Sequence, residues 1–197
     1  MSKKIQKESA VPGSPRKTAR PISFSTASKS KPAVLAEGDQ APSFSLPQAD
    51  GGTVSLADFA GGNLVLFFYP RAGTPGCTIE AADFSRLSRK FAAANTDVLG
   101  VSADPVKTIE TFHKKNLLKT PLVTDEAHLT LKAFGVWDKK SMYGKSFDGI
   151  VRSTFLIGET GRILKIWRKV RVAGHADEVL SAVLSAAKAG KAHSPIS

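Results

Sequence analysis

Phe68-Tyr69-Pro70-Arg71-Ala72-Gly73-Thr74-Pro75-Gly76-Cys77-Thr78-Ile79-Glu80 is the stretch that decides how this chain folds. It continues a near-continuous apolar run, Asn63 to Tyr69, of the kind expected for a central strand buried on both faces. Pro70 ends that strand, and Arg71 to Gly76 form a loop rich in Gly and Pro. Beyond it, the apolar residues Ile79, Phe84, Leu87 and Phe91 recur at helical spacings. Strand, loop and helix in that order put Cys77 in the first turn of the helix. There the unpaired backbone N–H groups and the positive end of the helix dipole point at the sulfur. Cysteines in such sites fall from a pKa of about 8.5 to roughly 3.5–7.5. A thiolate, unlike a thiol, displaces hydroxide or alkoxide from a peroxide O–O bond. Placement alone leaves a second reading open, because most single cysteines serve as small core hydrophobes.

Outward from this stretch, strands and helices alternate. Upstream, Phe44 and Leu46 alternate with polar residues, and Gln48-Ala49-Asp50-Gly51-Gly52 supplies a turn before Val54 and Leu56, which reads as a short hairpin. Downstream, Val98 to Val101 reads as a strand, and Pro105 as the first position of a helix through Ile109 and Phe112. Leu122-Val123 gives a further strand, and Leu129 to Phe134 a short helix. Ser153 to Ile157 and Arg162 to Trp167 form a hairpin about Glu159-Thr160-Gly161. Ala176 to Lys188 closes the chain as a helix, with Val179, Leu180, Val183 and Leu184 as its buried stripe. This order indicates an α/β sandwich.

The 197 residues suffice for one ordinary domain and a tail. The longest apolar runs are strand-sized, far short of a membrane span. The net charge is +11, but eight basic residues against Glu8 alone lie before Glu37, so the first segment carries +7 and the rest only about +4. Residues 1–36 are rich in Ser, Lys, Pro and Thr, lack any helical or strand period, and read as a disordered basic arm. The arm has no apolar core of a secretory signal. Its composition overlaps with organelle transit peptides, although Lys3-Lys4, Pro12 and Pro15 do not suit a presequence helix. Ser14-Pro15-Arg16-Lys17 and the spaced lysines suit weak, salt-dependent contact with nucleic acid; a plain solvated tail is the simpler alternative. The expected organisation is the arm, a domain over residues 37–190 and a short tail over 191–197. One cysteine excludes an internal disulfide framework and fits a reducing compartment, hence a cytoplasmic protein, with a nuclear or organellar one if the arm is an address.

The pattern Pro70-x-x-x-Thr74-x-x-Cys77 resembles the active-site motif of the peroxiredoxins. Thr74-Pro75-Gly76-Cys77-Thr78 closely resembles the branch called bacterioferritin comigratory protein or peroxiredoxin Q. The similarity extends through Gly38 to Pro47, Phe134-Gly135-Val136-Trp137, Tyr143-Gly144-Lys145 and Gly149 to Ile157, covering roughly residues 37 to 188. It implies a thioredoxin-like fold, a central mixed sheet flanked by helices, in a thiol peroxidase that leans toward a monomer.

The resemblance also implies roles. Cys77 would be the peroxide-attacking nucleophile and Thr74 would hydrogen-bond and orient the peroxide. Arg152, from a neighbouring strand, would hold the thiolate and polarise the peroxide with its fixed donor fork. Pro70 would pack over the sulfur and limit solvent access, and the N–H groups of Gly76 and Cys77 would complete the cradle. The plainer alternatives are a helix cap for Thr74, a surface cation for Arg152 and a strand stop for Pro70. One departure stands out. In much of the branch a resolving cysteine lies five residues after the first, where this chain has Ala82. A Cys77 sulfenic acid would then find no partner within the chain. The expectation is a one-Cys peroxidase of hydrogen peroxide and organic hydroperoxides, reduced by thioredoxin, glutaredoxin or a small thiol. A peroxide relay to a partner protein is the alternative. His113, His128, His175 and His193 lack metal-ligand spacing and read as surface or capping residues, and Trp137 and Trp167 as core or rim aromatics. No phosphate- or dinucleotide-binding loop is found, so neither metal nor cofactor is expected.

Overall fold

The computed structural model describes residues 34–142 and 145–191, within the compact unit Pro32–Ser197. Residues 1–33 of the basic arm (1–36), Tyr143-Gly144, His193 and the tail beyond residue 191 lie outside the described residues.

The centre is the strand read from sequence, β3 (Asn63–Phe68). It pairs in parallel with β4 (Thr96–Ser102) and antiparallel with β8 (Ser153–Ile157). The mixed five-stranded sheet is completed by β5 (Leu122–Thr124) beyond β4 and β9 (Ile163–Arg168) beyond β8. Because side chains alternate along a strand, β3 feeds two cores. Val65 and Phe67 pack with Phe84, Leu87 and Phe91 of α1 (Pro75–Ala93), Phe112 of α2 (Val106–Lys115) and Val179 and Val183 of α4 (His175–Lys191). Leu64, Leu66 and Phe68 pack on the other face with Leu131 of α3 (Leu129–Ala133), Phe134, Phe155 and Ile157. Helices and loops thus cover both faces, as an apolar central strand demands. The hairpin upstream is β1 (Ser45–Pro47) against β2 (Thr53–Ser55).

Three local expectations are corrected. Pro105 is the N-cap of α2, with extended ψ of 148°, rather than its first helical residue. Ile79 is 53% exposed, because the buried stripe of α1 runs through Cys77, Ala81, Phe84 and Leu87, and Ile79 lies about 200° round the helix from Cys77. Leu184 is likewise half-exposed, one step round α4 from Val183 and off the stripe formed by Ala176, Val179, Leu180 and Val183. The hairpin β6 (Trp137–Met142) and β7 (Lys145–Ile150) was not expected, since its lysines and serines carry little apolar alternation. Among the described residues no helix is long and apolar enough to cross a membrane.

At the sheet centre Phe67 lies in register with Gly100 of β4. A Cβ there would sit 2.5 Å from Phe67 Cζ and 2.7 Å from Leu122 Cδ2. Gly100→Ala is therefore expected to destabilise the fold by about 1–3 kcal/mol through overpacking, read as a lowered urea midpoint at unchanged m-value.

Candidate active site

The loop between β3 and α1 is held from three sides. The Tyr69 N–H donates to Val101 O at 3.0 Å, continuing the β3–β4 pairing past the strand end. The Ala72 N–H donates to Asp104 Oδ2 at 2.7 Å, and Asp104 is itself fixed by its N–H to Ser102 Oγ (3.2 Å) and by the Thr124 hydroxyl on its carbonyl (2.5 Å). Gly73 turns the chain with φ of +77°, a value glycine adopts without strain. Thr74 is the N-cap of α1 and Pro75 its first residue, where a missing N–H costs nothing. Thr74 occupies the cap position, but its hydroxyl makes no capping bond; it donates to Arg71 O at 3.0 Å. The first helical bond runs from the Thr78 N–H to Thr74 O (2.9 Å), leaving the amides of Gly76 and Cys77 at the open helix end.

Cys77 is thus the third residue of α1, free and 1% exposed. Arg152 Nη2 donates to its Sγ at 3.2 Å, while Nη1 donates to Glu80 Oε2, one turn further along the same helix. Arg152 lies on the two-residue connection between β7 and β8 rather than on a strand. Its side chain is 15% exposed and that of Glu80 only 1%. The guanidinium also lies 3.5 Å from where a Gly76 Cβ would stand, close over the helix start. The guanidinium is thus held between Cys77 and Glu80 rather than free in solvent. Pro70 lies two residues past the end of β3, after Tyr69, and is partly buried. Arg152, Cys77 and the helix start are brought together, with Thr74 three residues from the sulfur.

Three groups at this site went unread in the sequence. Glu80 is the chief one. Burial pushes its carboxyl from 4.5 up to about 7, against the pull of the Arg152 charge and hydrogen bond, and Oε1 has no hydrogen-bond partner among the described residues. Its signal was there: an acid three residues after Cys77, on the stripe that faces the core. Tyr69 is buried with its hydroxyl unpartnered among the described residues, and burial raises its phenol well above the ordinary value. Asp104, holding the loop, belongs to the Ser102-x-Asp104 turn after β4. His175, expected as a surface or capping residue, is not a surface one. It is buried at the start of α4, shares a 2.8 Å hydrogen bond with the Thr154 hydroxyl, and burial lowers it to about 4, so it is neutral at physiological pH. Trp137 and Trp167 are half-buried rim aromatics, stacked on His128 and edge-on to His175 respectively.

Residues 37–166 match the model of the AhpC/TSA family. The chain is 47% identical over 150 residues to peroxiredoxin Bcp of Xanthomonas campestris, spanning 75% of this chain and 94% of that one. It is 42% identical over 147 residues to peroxiredoxin Bcp of Escherichia coli, again spanning 75% and 94%. Among solved structures, the bacterioferritin comigratory protein of Xanthomonas campestris superposes with a TM-score of 0.70 at 44% identity, covering 73% of this chain and 92% of its own. A PrxQ mutant of Xylella fastidiosa superposes at 0.75 with 40% identity, covering 79% and 99%.

Glu80 keeps its proton to higher pH in the folded chain than in the unfolded one. Its contribution to stability is therefore full below about 4.5 and lost as pH rises through about 7. Glu80→Gln removes that titration. Relative to the variant, the wild type is expected to lose stability between pH 4.5 and 7, by at most about 3 kcal/mol, in urea unfolding curves across that window.

Proposed function

The chain belongs to the AhpC/TSA family, in its peroxiredoxin Q branch of thiol-dependent peroxidases, and from that premise we propose that Cys77 reduces hydrogen peroxide and organic hydroperoxides by a one-Cys mechanism. The observation that carries this reading is the single guanidinium shared between Cys77 Sγ and Glu80. It supplies an N–H aimed at the sulfur and, alongside it, the charge that an attacked peroxide needs.

The Cys77 thiolate attacks one oxygen of the peroxide. Arg152 and the open amides of Gly76 and Cys77 stabilise the negative charge that moves from sulfur to oxygen, without reorganising in the process. Thr74 already donates its hydroxyl hydrogen to Arg71 O, so its lone pairs are left to accept the peroxide O–H and to turn that oxygen toward the sulfur. Glu80 is a positioning residue: it holds Nη1 so that Nη2 faces Cys77. Pro70 belongs to this reading as the residue that keeps water from the sulfur. The O–O bond breaks, water or an alcohol leaves, and Cys77 is left as the sulfenic acid. Alkyl peroxide reduction by the similar Xanthomonas protein supports the inclusion of organic substrates.

Resolution is then external. Ala82, the place of a resolving cysteine in related chains, is exposed on α1, and Cys77 is the sole sulfhydryl of the sequence. Thioredoxin, glutaredoxin or a small thiol would reduce the sulfenic acid, and the same lone thiol supports a cytoplasmic, reducing setting.

Peroxide consumption, with thioredoxin, glutaredoxin and glutathione supplied in turn, tests the whole scheme. Cys77→Ser is expected to abolish turnover. Arg152→Ala is expected to lower the rate of Cys77 oxidation about 100- to 1,000-fold, the cost of losing one oriented donor. Wild-type turnover that halts at one equivalent with every thiol would replace the peroxidase by a relay.

A further inference from the structure

Beside the catalytic loop, but not including Cys77, lies a cleft of about 670 Å³. This is within the range of small-molecule sites. One wall is the loop itself, Ala72 and Gly73, together with Thr78, the residue that follows the nucleophile. The opposite wall is one side of α2. Phe112, buried in the core, gives it an apolar floor; Thr108 adds a hydroxyl, and the Thr111 hydroxyl and Asn116 amide, which donate to Lys107 O and Phe112 O at 2.8 Å, leave their oxygens to accept.

Two cations stand at its ends. Lys107 and Lys115 both line the cleft and both are exposed. Eight residues apart on α2, they are separated by about 12 Å along the helix axis. Among the described residues neither lies within ion-pair distance of a carboxylate; Glu110 binds Lys114 at 2.6 Å and also feels the Lys107 charge. Hydrogen peroxide, small and neutral, uses none of this. An occupant matching the cleft is elongated, carries an anion at each end and has peptide-like polar groups between. An extended tripeptide spans about 10–11 Å, close to the separation of the two lysines.

We propose that this cleft binds the reductant: a tripeptide-sized thiol with a carboxylate at either end and its sulfur in the middle, facing the wall that carries Thr78. The proposal rests on the one-Cys reading and names the thiol that completes it. The bound thiol, R–SH, attacks the Cys77 sulfenic sulfur. A Cys77–S–S–R bond forms, the S–O bond breaks, and hydroxide leaves with the thiol proton as water. A second R–SH then reduces the mixed disulfide, releasing R–S–S–R and the Cys77 thiol. The two electrons that peroxide removed are thus restored by two thiols.

The test separates the two halves of the cycle in the full chain. One equivalent of hydrogen peroxide forms the sulfenic acid. Its decay is then followed by dimedone trapping, with glutathione as the thiol bearing a carboxylate at each end and 2-mercaptoethanol as the uncharged one. Lys107→Gln/Lys115→Gln is expected to slow decay with glutathione about tenfold, each single substitution about threefold, as two exposed ion pairs allow. Decay with 2-mercaptoethanol is expected to be unchanged, and added salt to slow only the glutathione reaction of the wild type. Equal slowing with both thiols, no slowing with either, or a loss carried by one lysine alone would overturn the cleft assignment. Wild-type chain that forms no sulfenic acid at all would instead remove the peroxidase reading and this proposal with it.

Discussion

One guanidinium, lodged between a thiol and a carboxyl at the start of a helix, is the contact on which the rest of this molecule depends. Removing a carboxyl almost completely from water is costly, and the rise of Glu80 toward neutrality measures that cost. The Arg152 charge offsets part of it. In return the guanidinium loses its freedom: one nitrogen is fixed on Glu80 and the other is left facing Cys77 Sγ. A buried ion pair is poor evidence of stability in its own right, because well-packed apolar residues often do as well. Its value here is directional, since an arginine held at one end is pre-organised at the other.

The architecture around this contact is what makes it reproducible. Cys77 and Glu80 share one stripe of α1, three residues apart, so a single helix sets their separation. Arg152 comes from the far side of the sheet centre, on the short connection into β8, the antiparallel neighbour of β3. Both approaches are referred to β3, which is buried on both faces and carries Phe67 stacked on Phe84 of α1 with ring centroids 4.6 Å apart. The loop between them is tied by Asp104 to the end of β4. Three strands and one helix thereby converge on a single sulfur.

Much of this was legible beforehand because it follows from short-range rules. An unbroken apolar run marks a strand covered on both sides, and proline and glycine mark where it stops. A cysteine after Thr-Pro-Gly marks a helix start. The groups that escaped are those whose meaning comes from partners distant in sequence. Glu80 looks like any solvated acid on a helix until Arg152 arrives 72 residues later. His175 looks like a cap until the Thr154 hydroxyl and the core close over it. The hairpin β6–β7 escaped for a different reason: its strands lack apolar alternation, and backbone pairing leaves no trace in composition. Ile79 recurs among the apolar residues of α1 yet faces outward, because Cys77, Ala81 and Phe84 set the buried side.

On the one-Cys reading, the exposed Ala82, where the peroxiredoxin Q resemblance implies a second sulfur in much of the branch, changes the order of a reaction. Two sulfurs in one chain close by a unimolecular step, whose speed is built into the protein and is indifferent to its surroundings. Under the one-Cys mechanism proposed above, every return to the reduced state is a collision. The lifetime of the oxidised enzyme is then set by the concentration of its collaborator, and its pace becomes a gauge of the thiol supply around it.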